Sequence, residues 1–133
     1  MASIRREFLI DARVEDVWDA LRDIGALHTR LVPGFVTACR LEEGAAARIV
    51  TFGNGMVVKE LIVDLDGAAR RLAWSAAGGN LTHYNASMQV FPEGKDRTRA
   101  VWIADLLPHE AAGPVGEMIE QGCAAMKKTL ERV

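Results

Sequence analysis

The sequence predicts an α+β fold, a seven-stranded curved antiparallel sheet wrapped around one long C-terminal helix, with two short helices between the first and second strands. Three observations carry this. A short strand pattern at Ile4–Ile10 runs directly into a helical stripe. Alternating, hairpin-linked segments then fill the chain from Val36 to Leu107, and a single amphipathic stretch closes it. An antiparallel sheet that holds a terminal helix on one face usually leaves a cavity between the two.

The elements follow in order. Ile4, Phe8 and Ile10 mark one face of the first strand. Val14, Val17, Trp18 and Leu21 recur at i, i+3, i+4 and i+7, the spacing of one buried helical stripe. Glu15 and Asp16 sit in the first turn, where the helix dipole favours negative charge. Gly25 breaks the pattern, a second short helix is expected near Ala26–Leu31, and Pro33-Gly34 ends it. Strands are expected at 36–42 and 47–53 around a Glu43-Gly44 turn, then at 56–65. Asn54-Gly55 reads as a two-residue type I′ hairpin turn, because both residue types tolerate positive φ. After Asp66-Gly67 come strands at 71–77, 81–91 and 99–107, with Gly78-Gly79-Asn80 and Pro92–Asp96 as turns. The last helix is expected to begin near Pro114, whose missing N–H has no intrahelical partner in a first turn. Its apolar stripe is Val115, Met118, Ile119, Gly122, Cys123, Met126 and Leu130.

The bulk properties bound the function. A chain of 133 residues fits one domain over 1–133 and is long enough to bury about two-thirds of its unfolded surface. The net charge of −2, with acids and bases interspersed, offers no basic stripe for nucleic acid. Cys39 and Cys123 lie far apart with no second Cys or His at zinc-ligand spacing, and His28, His83 and His109 lack partner ligands, so no metal is expected. Gly53-Asn54-Gly55 is too short for a phosphate loop, and no cofactor is expected. The charged N-terminus lacks a signal-peptide core, and no apolar stretch approaches the ~20 residues that cross a bilayer. The expectation is a cytoplasmic protein with reduced thiols and no membrane insertion.

Hairpin geometry sorts the faces. If Val90 lies opposite Ala100, then Met88 meets Trp102, Ala86 meets Ala104 and Tyr84 approaches Leu106, a face that is apolar throughout. Its reverse carries His83, Asn85, Ser87 and Gln89, so the first face points inward. The same register places Leu72, Trp74 and Ala76 inside. A two-residue Asn54-Gly55 turn sets Ile49 opposite Glu60 and Thr51 opposite Val58. If Glu60 is inward, a lone carboxylate faces an apolar space and needs a partner, a water or a raised pKa. Arg6 is the partner considered, and an outward Glu60 is the alternative.

These residues resemble a known family. The stretch Ile10–Leu21, with Val57–Asp66, Arg70–Trp74, Thr82–Ser87 and the Val101-Trp102 strand ending at Pro108, is similar to the polyketide cyclase/dehydrase and lipid-transport family. That family lies in the START-like (SRPBCC) superfamily, whose helix-grip fold is shared with the birch pollen allergen. The likeness spans nearly the whole chain and rests on order and spacing of its parts. It implies a small apolar or aromatic ligand held between sheet and terminal helix. Arg13 departs from the pattern, since relatives often carry proline at that helix start.

Trp74, Tyr84, Met88 and Trp102 are the expected lining, with plain core packing as the alternative for each. Phe35 at the Pro33-Gly34 loop, and Met118 and Met126 on the helix, are further candidates. Glu60 is the candidate polar anchor or general acid/base. His28 is expected as an exposed loop residue. The leading function is binding of a small hydrophobic ligand as carrier or sensor. The rival is a cyclase-, dehydratase- or hydrolase-like enzyme, which needs at least two polar groups converging in the cavity. A third reading is a protein-interaction module; Leu61 and Val63, if outward, would mark its surface or that of a homodimer.

Overall fold

Helix formation begins where the 3.6-residue period begins. In the computed structural model, which describes residues 2–76 and 81–131, helix α1 (Val14–Arg22) buries Val14, Val17, Ala20 and Leu21 on one face. Arg13 takes the N-cap position in an extended conformation and makes no side-chain capping bond, so α1 starts without the help a capping side chain gives. The expected second helix is a single π-helical turn (Leu27–Leu31). Arg30 ties it to α1, bonding Asp19 at 2.6 Å and Asp23 at 2.9 Å.

Seven strands form one antiparallel sheet: β1 (Ala2–Ile10), β2 (Val36–Glu42), β3 (Ala47–Phe52), β4 (Val57–Asp66), β5 (Arg71–Ala76), β6 (His83–Pro92) and β7 (Thr98–Leu107). Their order is β1-β7-β6-β5-β4-β3-β2. β1 and β2 are consecutive strands of the chain yet lie at opposite edges, and α1 with the π-helical turn carries the chain between them. Helix α2 (Ala112–Leu130) buries Gly116, Ile119, Gly122, Met126 and Leu130. It starts two residues before Pro114. The first four N–H groups of a helix have no intrahelical acceptor, so proline is tolerated anywhere in that turn. This α+β arrangement of open sheet and long terminal helix is the helix-grip fold.

The β6–β7 register is the one the alternation predicts, with Val90 opposite Ala100, Met88 opposite Trp102, Ala86 opposite Ala104 and Tyr84 opposite Leu106. Leu72 pairs with Met88 and Trp74 with Ala86, so the inner face continues onto β5. The expected Gly78-Gly79-Asn80 turn lies outside the described residues.

The β3–β4 hairpin differs from expectation by one residue. Arg48 lies opposite Glu60, Val50 opposite Val58 and Thr51 opposite Val57. Phe52 N donates to Met56 O at 2.8 Å, enclosing a three-residue loop, Gly53-Asn54-Gly55. Gly55, at φ +91°, takes the left-handed position that such a loop demands of its third residue. The Asn54 side chain accepts from Met56 N at 3.0 Å. The loop is longer than two residues because Gly53 is also bound elsewhere, donating from its N to Phe35 O at 2.9 Å. On the outer face Leu61 and Val63 are 46% and 58% exposed.

Gly53 sits too close to Gly34 for any side chain, since a Cβ there would lie 2.5 Å from the Gly34 carbonyl oxygen. Gly53→Ala should therefore cost about 1–3 kcal/mol, the usual range for forced overpacking, read as a lower urea midpoint at unchanged slope. An unchanged midpoint would show that the Pro33-Gly34 loop yields freely.

Candidate functional site

The inner face of the sheet and α2 do not close completely on one another. A cavity of about 130 Å³ remains between them. β3 contributes Arg48 and Phe52 to its wall, β4 Val58 and Glu60, and β5 Leu72, Trp74 and Ala76. β6 adds Tyr84 and Met88, and β7 adds Trp102. Leu27 and Leu31 of the π-helical turn face Val115, Met118, Ile119 and Met126 of α2 across the same space. The eight residues singled out from sequence (Trp74, Tyr84, Met88, Trp102, Glu60, Phe35, Met118 and Met126) all belong to this wall. Phe35, Phe52 and Met118 also line a neighbouring hollow edged by Gly34, Gly53, Asn54 and Gln121. Phe35 and Phe52 meet edge to face at 5.5 Å.

Two indoles form the inner wall, Trp74 and Trp102, with ring centres 6.1 Å apart at 62°. Trp102 Nε1 is buried with no partner among the described residues. Helix α2 can lie against Trp102 because position 122 is glycine; a Cβ there would come within 2.8 Å of the Trp102 ring and 3.2 Å of Phe35.

Glu60 points inward and is 7% exposed. Its partner is Arg48, not Arg6. Arg48 Nε donates to Glu60 Oε1 at 2.8 Å, and the two side chains are 3% and 9% exposed. Arg48 Nη1 donates to Ile24 O at 3.3 Å, and its guanidinium lies 5.7 Å over the Trp74 ring. Arg6 pairs instead with Glu120 of α2. The one-residue shift of the β3–β4 register accounts for the difference, because it turns Arg48 inward directly beside Glu60. Arg48 is the charged wall residue that sequence reasoning missed. The signal for it was present as opposite charges that meet across the hairpin once the loop is counted as three residues. Phe52, Leu27 and Leu31 were missed for want of any pattern linking those segments to the sheet face.

Tyr84 lies on the same wall, and its hydroxyl makes no hydrogen bond among the described residues. Burial, then the charge of Glu60, raises the Tyr84 pKa, so the hydroxyl stays protonated. His28 differs from expectation. It is half-buried on the π-helical turn, with Nδ1 buried and unpartnered among the described residues, because that turn packs against the body of the protein. No group of three or more His, Cys, Asp or Glu side chains that could hold a metal occurs among the described residues. Among the same residues no helix is long and apolar enough to cross a membrane.

Arg48→Met should destabilise by about 3–5 kcal/mol, since it leaves Glu60 buried and unpaired, and Arg48→Met with Glu60→Gln should recover most of that loss. Denaturant unfolding of both variants checks this, and equal losses would refute the coupling. Burial also pushes the Cys123 thiol up from 9.0 to about 12. A folded state that holds this proton more tightly than the unfolded chain keeps its full stability below pH 9 and loses it as pH rises toward 12. Cys123→Ala should flatten the fall of melting temperature between about pH 9 and 11, though not abolish it, because Tyr84 and Cys39 are raised in the same direction.

A family model described as polyketide cyclase / dehydrase and lipid transport matches residues 1–133. No curated protein matches the sequence. Among solved structures, an uncharacterised protein from Bacillus thuringiensis is similar at TM-score 0.88 and 19% identity, covering 97% of this chain and 98% of that one. A START superfamily protein from Mycobacterium smegmatis is similar at TM-score 0.78 and 14% identity, covering 98% and 97%. Norcoclaurine synthase from Thalictrum flavum is similar at TM-score 0.73 and 24% identity, covering 98% and 84%. At such identities the likeness is one of fold. The match along the full chain and the helix-grip architecture agree, and this protein belongs to the polyketide cyclase / dehydrase and lipid transport family.

Proposed function

We propose that the chain binds a small hydrophobic or aromatic ligand in the cavity between sheet and α2, as a carrier or sensor. The observation that carries this is a cavity of about 130 Å³ whose wall is apolar except at a few inward polar groups, chiefly the mutually neutralised Arg48 and Glu60. Sites for small molecules have this make-up, a mostly apolar surface with a few polar groups that fix orientation. Affinity would come from burial of apolar ligand surface at roughly 25 cal/mol per Å², less the cost of association. The eight wall residues named above, with Arg48 added, are the proposed binding site.

One observation favours a second reading, a cyclase- or dehydratase-like enzyme. Arg48, Glu60 and Tyr84 all contribute to one cavity. A carboxylate can take a proton beside a ligand carbonyl, a guanidinium can stabilise the oxyanion so formed, and a phenol can return a proton. Norcoclaurine synthase is among the proteins of similar fold. This reading ranks second because Glu60 already gives one oxygen to Arg48, which leaves only the other for proton transfer.

Native mass spectrometry of the purified protein tests the binding reading through a co-purifying small molecule. Gly122→Ala gives a sharper check. Its added methyl must displace the Trp102 ring, 2.8 Å away, and so reshape the cavity. Calorimetric titration with toluene should show about tenfold weaker binding to this variant, equivalent to ~1.4 kcal/mol. Equal affinity for the two proteins would place toluene outside the cavity and count against it as the site.

A further inference from the structure

We propose that the ligand of this cavity is a neutral single-ring compound bearing a hydroxyl group, a phenol in chemical class, with the hydroxyl seated over Ala76 between Glu60 and Tyr84. This rests on the binding reading above and adds the chemistry of the ligand.

Size sets the ring count. An apolar protein cavity of about 150 Å³ admits benzene, and the space here is about 130 Å³. The two are of similar size, the scale of a single ring. The Trp74–Trp102 pair, edge to face at 6.1 Å, presents aromatic surface to it.

The sheet register sets the position of the polar group. Arg48 pairs with Glu60, Glu60 with Ala76, and Ser75 with Asn85, which brings Tyr84 into line with Ala76. Arg48, Glu60, Ala76 and Tyr84 thus form one row across four strands on the inner face, all of them in the cavity wall. Ala76 is the one small member. Glu60 and Tyr84 stand two strands apart, ~9.6 Å between backbones, and the position between them on the inner face carries only the methyl of Ala76.

Hydrogen-bonding capacity sets the functional group. Glu60 Oε1 is taken by Arg48, while Oε2 has no partner among the described residues, and an ionised carboxylate can only accept. The Tyr84 hydroxyl, also without a partner among the described residues, can donate as well as accept. A ligand hydroxyl serves both at once, donating to Glu60 and accepting from Tyr84. An ether or ketone offers Glu60 no hydrogen. Charge then excludes the ionic analogues. Arg48 and Glu60 neutralise each other, so a carboxylate or ammonium on the ligand would be a third buried charge without a counterion.

Calorimetric titration of the wild-type protein with phenol, toluene, benzoate and benzylammonium tests this, because phenol and toluene differ only by hydroxyl against methyl. Phenol should bind about tenfold more tightly than toluene, the weight of one net hydrogen bond, and neither ion should bind measurably. Tyr84→Phe, which keeps the ring and its packing, should erase most of the phenol preference, read as the ratio of phenol to toluene affinity within the same variant. Equal binding of phenol and toluene, tightest binding of either ion, or a phenol preference untouched by Tyr84→Phe would each overturn the proposal while leaving the cavity as a binding site. Failure of all four compounds to bind, toluene included, would overturn the binding reading itself.

Discussion

Side chains along a β-strand alternate strictly, and an antiparallel ladder passes that alternation from strand to strand. In this protein α2 lies on one face only, so a single choice of register decides which side chains of the sheet meet the helix. Leu72, Met88, Trp102 and Leu106 are buried by that choice, and Asn85, Ser87 and Gln89 are turned away from it. A shift of one residue in any ladder would exchange the two sets. The cavity is the place where this constraint and the shape of α2 fail to match: the inner face carries small residues such as Ala76 beside large ones, and α2 rests on the tall indole of Trp102 through Gly122.

α2 is held by polar contacts along its length as well as by packing. Arg6 of β1 pairs with Glu120 near the middle of the helix. Toward its end Lys127 donates to Leu9 O at 3.0 Å, and Glu131 accepts from Asp11 N at 2.8 Å. Surface pairs of this kind contribute little individually to stability, but they link the helix to the β1 edge of the sheet. The opposite side of the cavity is closed by the π-helical turn and the Pro33–Val36 segment, held to the β3–β4 loop through Phe35 and Gly53. The wall is therefore assembled from segments far apart in the chain, and two of them, the β3–β4 loop at Gly53 and α2 at Gly122, approach their neighbours more closely than a side chain would allow.

The buried Arg48–Glu60 pair is the least expected part of the wall. Desolvating two charges costs several kcal/mol per ion, and an apolar pair of similar volume is often at least as stable. The pair is well supplied, with Glu60 at 2.8 Å, Ile24 O at 3.3 Å and the Trp74 ring beneath the guanidinium. Even so, Glu60 Oε2 and the Tyr84 hydroxyl lack protein partners among the described residues. Trp102 Nε1, in the same wall, is buried without a partner among the described residues, where most buried polar groups are paired. Unmet hydrogen-bonding capacity at the edge of a cavity is what a binding site for a polar handle on an apolar ligand requires.

The sequence by itself determined the architecture and most of the inner face. Alternation over β5, β6 and β7 is long and unambiguous, so Trp74, Tyr84, Met88 and Trp102 could be placed inward from pattern alone, and the 3.6-residue stripe did the same for Met118, Ile119 and Met126. Local signals suffice there because the period is carried by many residues and one face is plainly apolar. The β3–β4 hairpin was different. Gly53-Asn54-Gly55 supports a two-residue or a three-residue loop by local chemistry, and β4 is nearly as apolar on one face as on the other. Only the tertiary structure decided between them, through the bond from Gly53 N to Phe35 O, a contact between segments separated by β2 and β3. That one bond fixes the loop length, the loop length fixes the register, and the register sets Arg48 beside Glu60. Arg6, which sequence reasoning had offered as the partner, is drawn to Glu120 by the placement of α2 against β1, and the closing of the cavity by Leu27, Leu31 and Phe52 depends on the same long-range packing. Pattern along a strand reports which side a residue takes; which residue stands next to it depends on contacts between parts of the chain that share no local signal.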